Sequence, residues 1–114
     1  MDLKNYDGAI EDYSRAIEID RSQPLSYINR ADLLLKLNDL NGAIADFSRA
    51  ISLQPKNADL YYLRANAMME LDNFKDAITD FTKVLSMKVE LIESRSLHML
   101  FVIFSKGRSL SSSP

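Results

Sequence analysis

The sequence repeats itself with a period of about 34 residues, and no other feature narrows the possible folds as far. Ala9, Ala43 and Ala77 stand in register, and so do Ile10, Ile44 and Ile78. The match continues through Asp12/Asp46/Asp80, Tyr13/Phe47/Phe81, Ser14/Ser48/Thr82, Arg15/Arg49/Lys83, Ala16/Ala50/Val84 and Ile17/Ile51/Leu85. A second block recurs at the same distance: Tyr27/Tyr61, Arg30/Arg64, Ala31/Ala65 and Leu37/Leu71. A period of this length belongs to stacked helical hairpins, in which no unit buries its apolar faces alone and each neighbour supplies the missing surface.

Within each unit the apolar spacing predicts two helices. From Ala43, apolar residues fall at 43, 44, 47, 50, 51 and 53, and from Tyr27 at 27, 28, 31, 34, 35 and 37. Both are the spacing of one helical face. Between them Asn38-Asp39-Leu40-Asn41 reads as a short polar turn anchored by Leu40, with Asn5-Tyr6 and Asn73-Phe74 as counterparts. Ser22 and Asn57 are candidate caps for the free N–H groups of the helices that follow them. Pro24 suits a first helical turn, where its missing N–H costs nothing, and Pro55 suits the residue after a helix end.

These residues resemble the tetratricopeptide repeat (TPR) family. The resemblance rests on Tyr27, Ala31, Leu34 and Leu37, followed by Ala43-Ile44, Phe47, Ala50, Leu53 and Pro55. It implies an all-α fold, a right-handed stack of antiparallel helical hairpins forming an α-solenoid; a C-terminal helix, whose packing the pattern does not set, is expected after it. The expected organisation is the second half of a repeat at 2–23, full repeats at 24–57 and 58–91, a capping helix at 92–104 and a disordered tail at 105–114. Val84 replaces the second Ala of the last unit, while Val89 and Arg21 occupy the place of Pro55. These departures bear on the last boundary rather than on the fold. With two and a half units, the chain reads as a segment or isoform of a longer array.

The register fails beyond residue 91, where Arg95, Met99 and Ser105 stand in place of Tyr, Ala and Leu. One reading makes the following stretch a helix that covers the end of the last hairpin. The other makes it a segment unrelated to the array, whose uncharged run LHMLFVIF would be prone to aggregate. Charge divides along the same line: residues 1–87 carry 10 Lys+Arg and 14 Asp+Glu, a balance of −4, and residues 88–114 carry 4 and 2, a balance of +2.

Composition narrows the chemistry. With Lys+Arg 14 against Asp+Glu 16, the chain lacks the surplus positive charge that binding to a phosphate backbone needs, so no nucleic-acid partner is expected. There is no Cys and only one His, His98, which excludes disulfides, thiolate metal sites and most nucleophile–base pairs. The turns at Gly8 and Gly42 fail as calcium loops, since Leu3 or Leu37 and Ser14 or Ser48 would fall at ligand positions. No catalytic residue, cofactor or metal is expected. The longest apolar run, Met99 to Phe104, is far shorter than the roughly 20 residues that span a bilayer, so no membrane partner is expected either. The start has no apolar leader segment and no glycosylation sequon occurs, which together with the absence of Cys predicts an intracellular, cytoplasmic chain.

In the TPR family the first helices of successive hairpins line a concave face. Carried onto this sequence, that implies a partner-binding face that includes Ile28, Asp32 and Leu35 from one helix and Tyr62, Asn66 and Met69 from the next. Apolar and aromatic side chains beside an amide suit recognition of an extended or helical protein segment. Some members grip the C-terminal carboxylate of a chaperone with Lys and Asn on this face; here Asp32 would repel it and only Asn66 fits, so capture of that kind is not expected. The functional expectation is a non-catalytic scaffold for a protein or peptide partner. The competing expectation is self-association through the N-terminal face and the apolar tail. Arg30 and Arg64, with Asp46 and Asp80 on the neighbouring helices, are expected to pair and set helix register.

Overall fold

The computed structural model describes residues 3–111, with side chains from 5 to 107. It contains helices α1 (Leu3–Ile19), α2 (Pro24–Lys36), α3 (Leu40–Leu53), α4 (Ala58–Glu70) and α5 (Phe74–Ser111), and no strand among the described residues. The all-α expectation therefore holds. The backbone divides after Val84 into a repeat unit and the remainder of α5.

In the repeat unit each helix ends where the local chemistry stops it. Asn38 and Asp72, one full repeat apart, carry the positive φ values of 61° and 58° that close α2 and α4. Asn and Asp tolerate this left-handed turn better than most side chains. The backbone N–H of Asp39 then returns to the Leu34 carbonyl at 2.8 Å, and that of Asn73 to Met68 at 2.9 Å. Asp39 caps α3 by accepting from the Gly42 N–H at 3.0 Å, and Asn57 caps α4 by accepting from the Asp59 N–H at 3.1 Å. Ser22 does not cap α2. It lies one residue too early, Gln23 is the cap residue, and both the Ser22 N–H and hydroxyl donate to Asp20 instead.

The core follows the repeated positions. Ala31, Ala43, Ala50, Ala65 and Ala77 are fully buried, which lets helix axes approach closely, and Phe47 fills the space beside them. Ile17 of α1, Tyr27 of α2, Ile51 of α3 and Leu60 of α4 join Phe47 in one apolar cluster.

Beyond Val84 the structure departs from the expected boundaries. There is no break at 91 and no separate helix at 92–104; α5 continues to Ser111. The reason is local. Where α3 ends at Gln54-Pro55-Lys56-Asn57, the corresponding residues of α5 are Lys88-Val89-Glu90-Leu91, without proline, cap or left-handed residue. Side chains along this stretch, Ile92, Leu97 and Phe101 among them, are exposed. Residues 105–111, expected to be disordered, continue the helix, while 112–114 and residue 2 of the first half-repeat lie outside the described residues.

Candidate functional site

The first helices α2 and α4 are held in place by a network that recurs once per repeat. Arg30 of α2 grips Asp46 of α3 with two hydrogen bonds, Nε to Oδ2 and Nη2 to Oδ1, both 2.7 Å. Its Nη1 also donates to Ser14 Oγ of α1 at 3.0 Å. Arg64 of α4 repeats the arrangement, donating to Asp80 of α5 at 2.7 and 2.8 Å and to Ser48 Oγ of α3 at 3.0 Å. Each serine hydroxyl donates in turn to a carbonyl of its own helix, Ser14 to Ile10 and Ser48 to Ile44. One arginine thus ties three helices. Hydrogen bonds to the carboxylates, opposed by partial burial, hold both guanidinium groups above their ordinary pKa.

The same helices are pinned at their starts. The Tyr27 hydroxyl donates to the Arg21 carbonyl at 3.2 Å and the Tyr61 hydroxyl to the Pro55 carbonyl at 2.9 Å, in each case six residues upstream. Each ring also lies under its neighbouring guanidinium, 6.0 Å for Arg30 and 5.8 Å for Arg64. The expected pairing of Arg30 and Arg64 with Asp46 and Asp80 is present. Asp12, in the same register, is exposed and forms no such pair among the described residues. The sequence reading missed the part played by Ser14 and Ser48, although their recurrence in the repeat register was the signal that would have found it.

The candidate face divides in two. On α2, Ile28 and Leu35 are half-buried and pack against the apolar cluster. Asp32 is exposed and pairs with Lys36 one turn on, at 3.2 Å. Lys36 also stands 5.8 Å from the centre of the Tyr6 ring. On α4, Tyr62, Asn66 and Met69 are all exposed, Tyr62 at 50% and Met69 at 41%. The Tyr62 ring meets Phe81 of α5 edge-on, with centroids 5.8 Å apart and planes at 65°. That contact holds one edge of the tyrosine and leaves the rest to solvent. Phe81, in the repeat register of Phe47, is half-buried and supports the Tyr62 ring.

No group of metal-ligating side chains occurs among the described residues, and no described helix is long and apolar enough to cross a membrane.

The TPR repeat pattern matches residues 1–38 and 31–72, and the tetratricopeptide repeat pattern matches 58–88. The chain belongs to the tetratricopeptide repeat family. Its fold is the TPR α-solenoid, a fold that in general serves protein interaction rather than catalysis. Among solved structures, the second TPR of Spaghetti (RPAP3), bound to the HSP90 peptide SRMEEVD, is 33% identical, with a TM-score of 0.66 over 72% of this chain and 76% of that one. The Arabidopsis OM64 TPR domain is 31% identical, with a TM-score of 0.66 over 74% and 69%. MamA shares the fold at 19% identity, with a TM-score of 0.74 over 78% of this chain and 52% of that one. A comparison with curated proteins finds no match.

Proposed function

We propose that this TPR chain is a non-catalytic scaffold that binds a segment of a protein partner on the face formed by α2 and α4. The observation that carries the reading is the exposed row Tyr62, Asn66 and Met69 on α4. A solvated helix face has no need of an aromatic ring and a thioether, while a binding face uses them for area and the amide for backbone hydrogen bonds. On α2, Ile28 and Leu35 lie half-buried against the apolar cluster, and Asp32 is exposed.

The relative bound to SRMEEVD supports a peptide as the partner, but not that peptide. Outside the paired Arg30 and Arg64, α2 and α4 carry Asp32, Asp59 and Glu70 against Lys36, and an acidic tail would meet repulsion. The segment that fits is apolar with a neutral or basic flank.

The test compares the wild-type chain with Tyr62→Ala/Asn66→Ala in pull-downs, with helicity of both checked by circular dichroism. SRMEEVD is titrated into the wild type in parallel, followed by amide NMR shifts. Loss of specific partners by a folded double variant, with no saturable shift by SRMEEVD, is the expected result. Identical partners for both proteins would overturn the assignment of the face, and saturable binding of SRMEEVD would overturn the charge argument.

A further inference from the structure

Residues 85–103 of α5 carry an exposed apolar stripe. Leu85, Val89, Ile92, Ser96, Met99 and Ile103 follow one another at spacings of 4, 3, 4, 3 and 4, the heptad rhythm of a coiled-coil seam. Every apolar member is 49–64% exposed. Ile92, Ser96, Met99 and Ile103 line one shallow trough, with Arg95 on one border and Leu100 on the other. At about 1.5 Å per residue the stripe is roughly 27 Å long. A supercoil needs a helix without breaks, and no Gly or Pro occurs between Phe74 and Lys106.

We propose that this stripe is a homodimer interface, a parallel two-stranded coiled coil between two copies of the chain. The residue types favour two strands at most positions. Leu85 and Met99 at d are unbranched at Cβ while Val89 and Ile103 at a are β-branched, the combination that suits dimers; Ile92 at d is the exception, and Ser96 is the one polar a residue. The flanking charges select the orientation. Lys88 precedes Val89 at a g position and Glu93 follows Ile92 at an e position, five residues on. In a parallel pair each g side chain meets the e side chain five residues later on its partner, so Lys88 of one copy meets the Glu93 of the other, twice by symmetry. An antiparallel pair would turn Lys88 and Arg95 of one copy toward the same cations of the other. The interface shares no residue with the face on α2 and α4, so two copies would present two such faces, and bivalent partners would be held by avidity.

The experiment uses the full chain. Sedimentation equilibrium of the wild type should give a monomer–dimer equilibrium, and Ile92→Asp should weaken association by roughly tenfold or more, because dimerisation would bury an unpaired charge. Circular dichroism and partner capture by the α2–α4 face should survive that change, which separates this interface from that site. Lys88→Glu and Glu93→Lys should each weaken the dimer several-fold, and the two together should restore it. Because the native chain has no cysteine, Val89→Cys offers a direct reading of orientation: under mild oxidation a parallel, in-register pair should yield a disulfide-linked dimer. A wild type that stays monomeric at high micromolar concentration would sink the proposal. So would three or more copies in the assembly, a dimer indifferent to Ile92→Asp, which would place association on α1 instead, or a dimer in which Val89→Cys does not cross-link.

Discussion

Arg30 and Asp46 meet through two parallel hydrogen bonds of 2.7 Å, and the carboxylate of that pair is almost wholly buried while the guanidinium keeps some access to water. Arg64 and Asp80 reproduce the relationship one repeat later. Burying an ion pair is not by itself a gain, because desolvation offsets most of the attraction. Its consequence appears when one partner is removed.

Arg64→Ala should therefore cost about 3 kcal/mol of folding stability, since it strands the Asp80 carboxylate and leaves the Ser48 hydroxyl without its donor. Arg64→Leu with Asp80→Leu should recover most of that loss by replacing the pair with packed apolar groups. Urea denaturation of the single and double variants checks both. A single variant with an unchanged midpoint would show that the pair does not hold the helices. Acid and mild base should not act through the arginines, because their raised pKa places any loss of charge far above physiological pH.

Gly8 and Gly42 occupy the same position of successive repeats, yet substitution should affect them differently. A methyl group at Gly8 meets nothing within 4 Å, so Gly8→Ala should stabilise the protein by about 0.5–1 kcal/mol through helix propensity. At Gly42 the same methyl would lie 2.7 Å from Asp39 Oδ2, displacing the carboxylate that caps α3. Losing that cap costs about 1 kcal/mol, which cancels the gain, so Gly42→Ala should leave stability unchanged or slightly lower. Paired thermal melts decide the matter; equal stabilisation by both substitutions would show the cap to be without weight.

Asp20 is held below its ordinary pKa of 3.8, first by the Ser22 hydroxyl, then by the Ser22 N–H and the Gln23 amide. A carboxylate depressed in the folded state contributes stability that is fully present above its unfolded pKa and is lost as pH falls through the folded value. The window for Asp20 thus lies below pH 3.8. An NMR titration of the side-chain carboxyl should place its midpoint there, and Ser22→Ala should move the midpoint upward. A midpoint at the ordinary value would show that the Ser22 and Gln23 hydrogen bonds do not hold the Asp20 carboxylate.

The hairpins were legible in the sequence because their causes are local or strictly periodic. The repeat register set which residues face the core, and Arg30 and Arg64 one turn from Tyr27 and Tyr61 already pointed at Asp46 and Asp80. Half of each arginine's role stayed hidden. Its bond to Ser14 or Ser48 reaches back to the preceding second helix, and only the packing distance between helices decides whether the guanidinium bridges that gap. The candidate face shows the same limit. Ile28 and Leu35 occupy the positions in α2 that Tyr62 and Met69 occupy in α4, and apolar spacing cannot tell them apart. Packing does: the first pair lies against the core, while Tyr62 and Met69 are left to solvent, Tyr62 beside Phe81.

What the sequence determined by itself was the repeat, the polar turns at Asn38 and Asn73, the cap at Asn57 and the residue types of the core, because these depend on backbone chemistry and on a period that needs no partner. What only the tertiary structure decided was exposure: that the heptad stripe of α5 is uncovered, and that the face on α4 stays open. Exposure depends on which other surface arrives to cover a side chain, and that is a property of the assembled helices rather than of any segment of the chain.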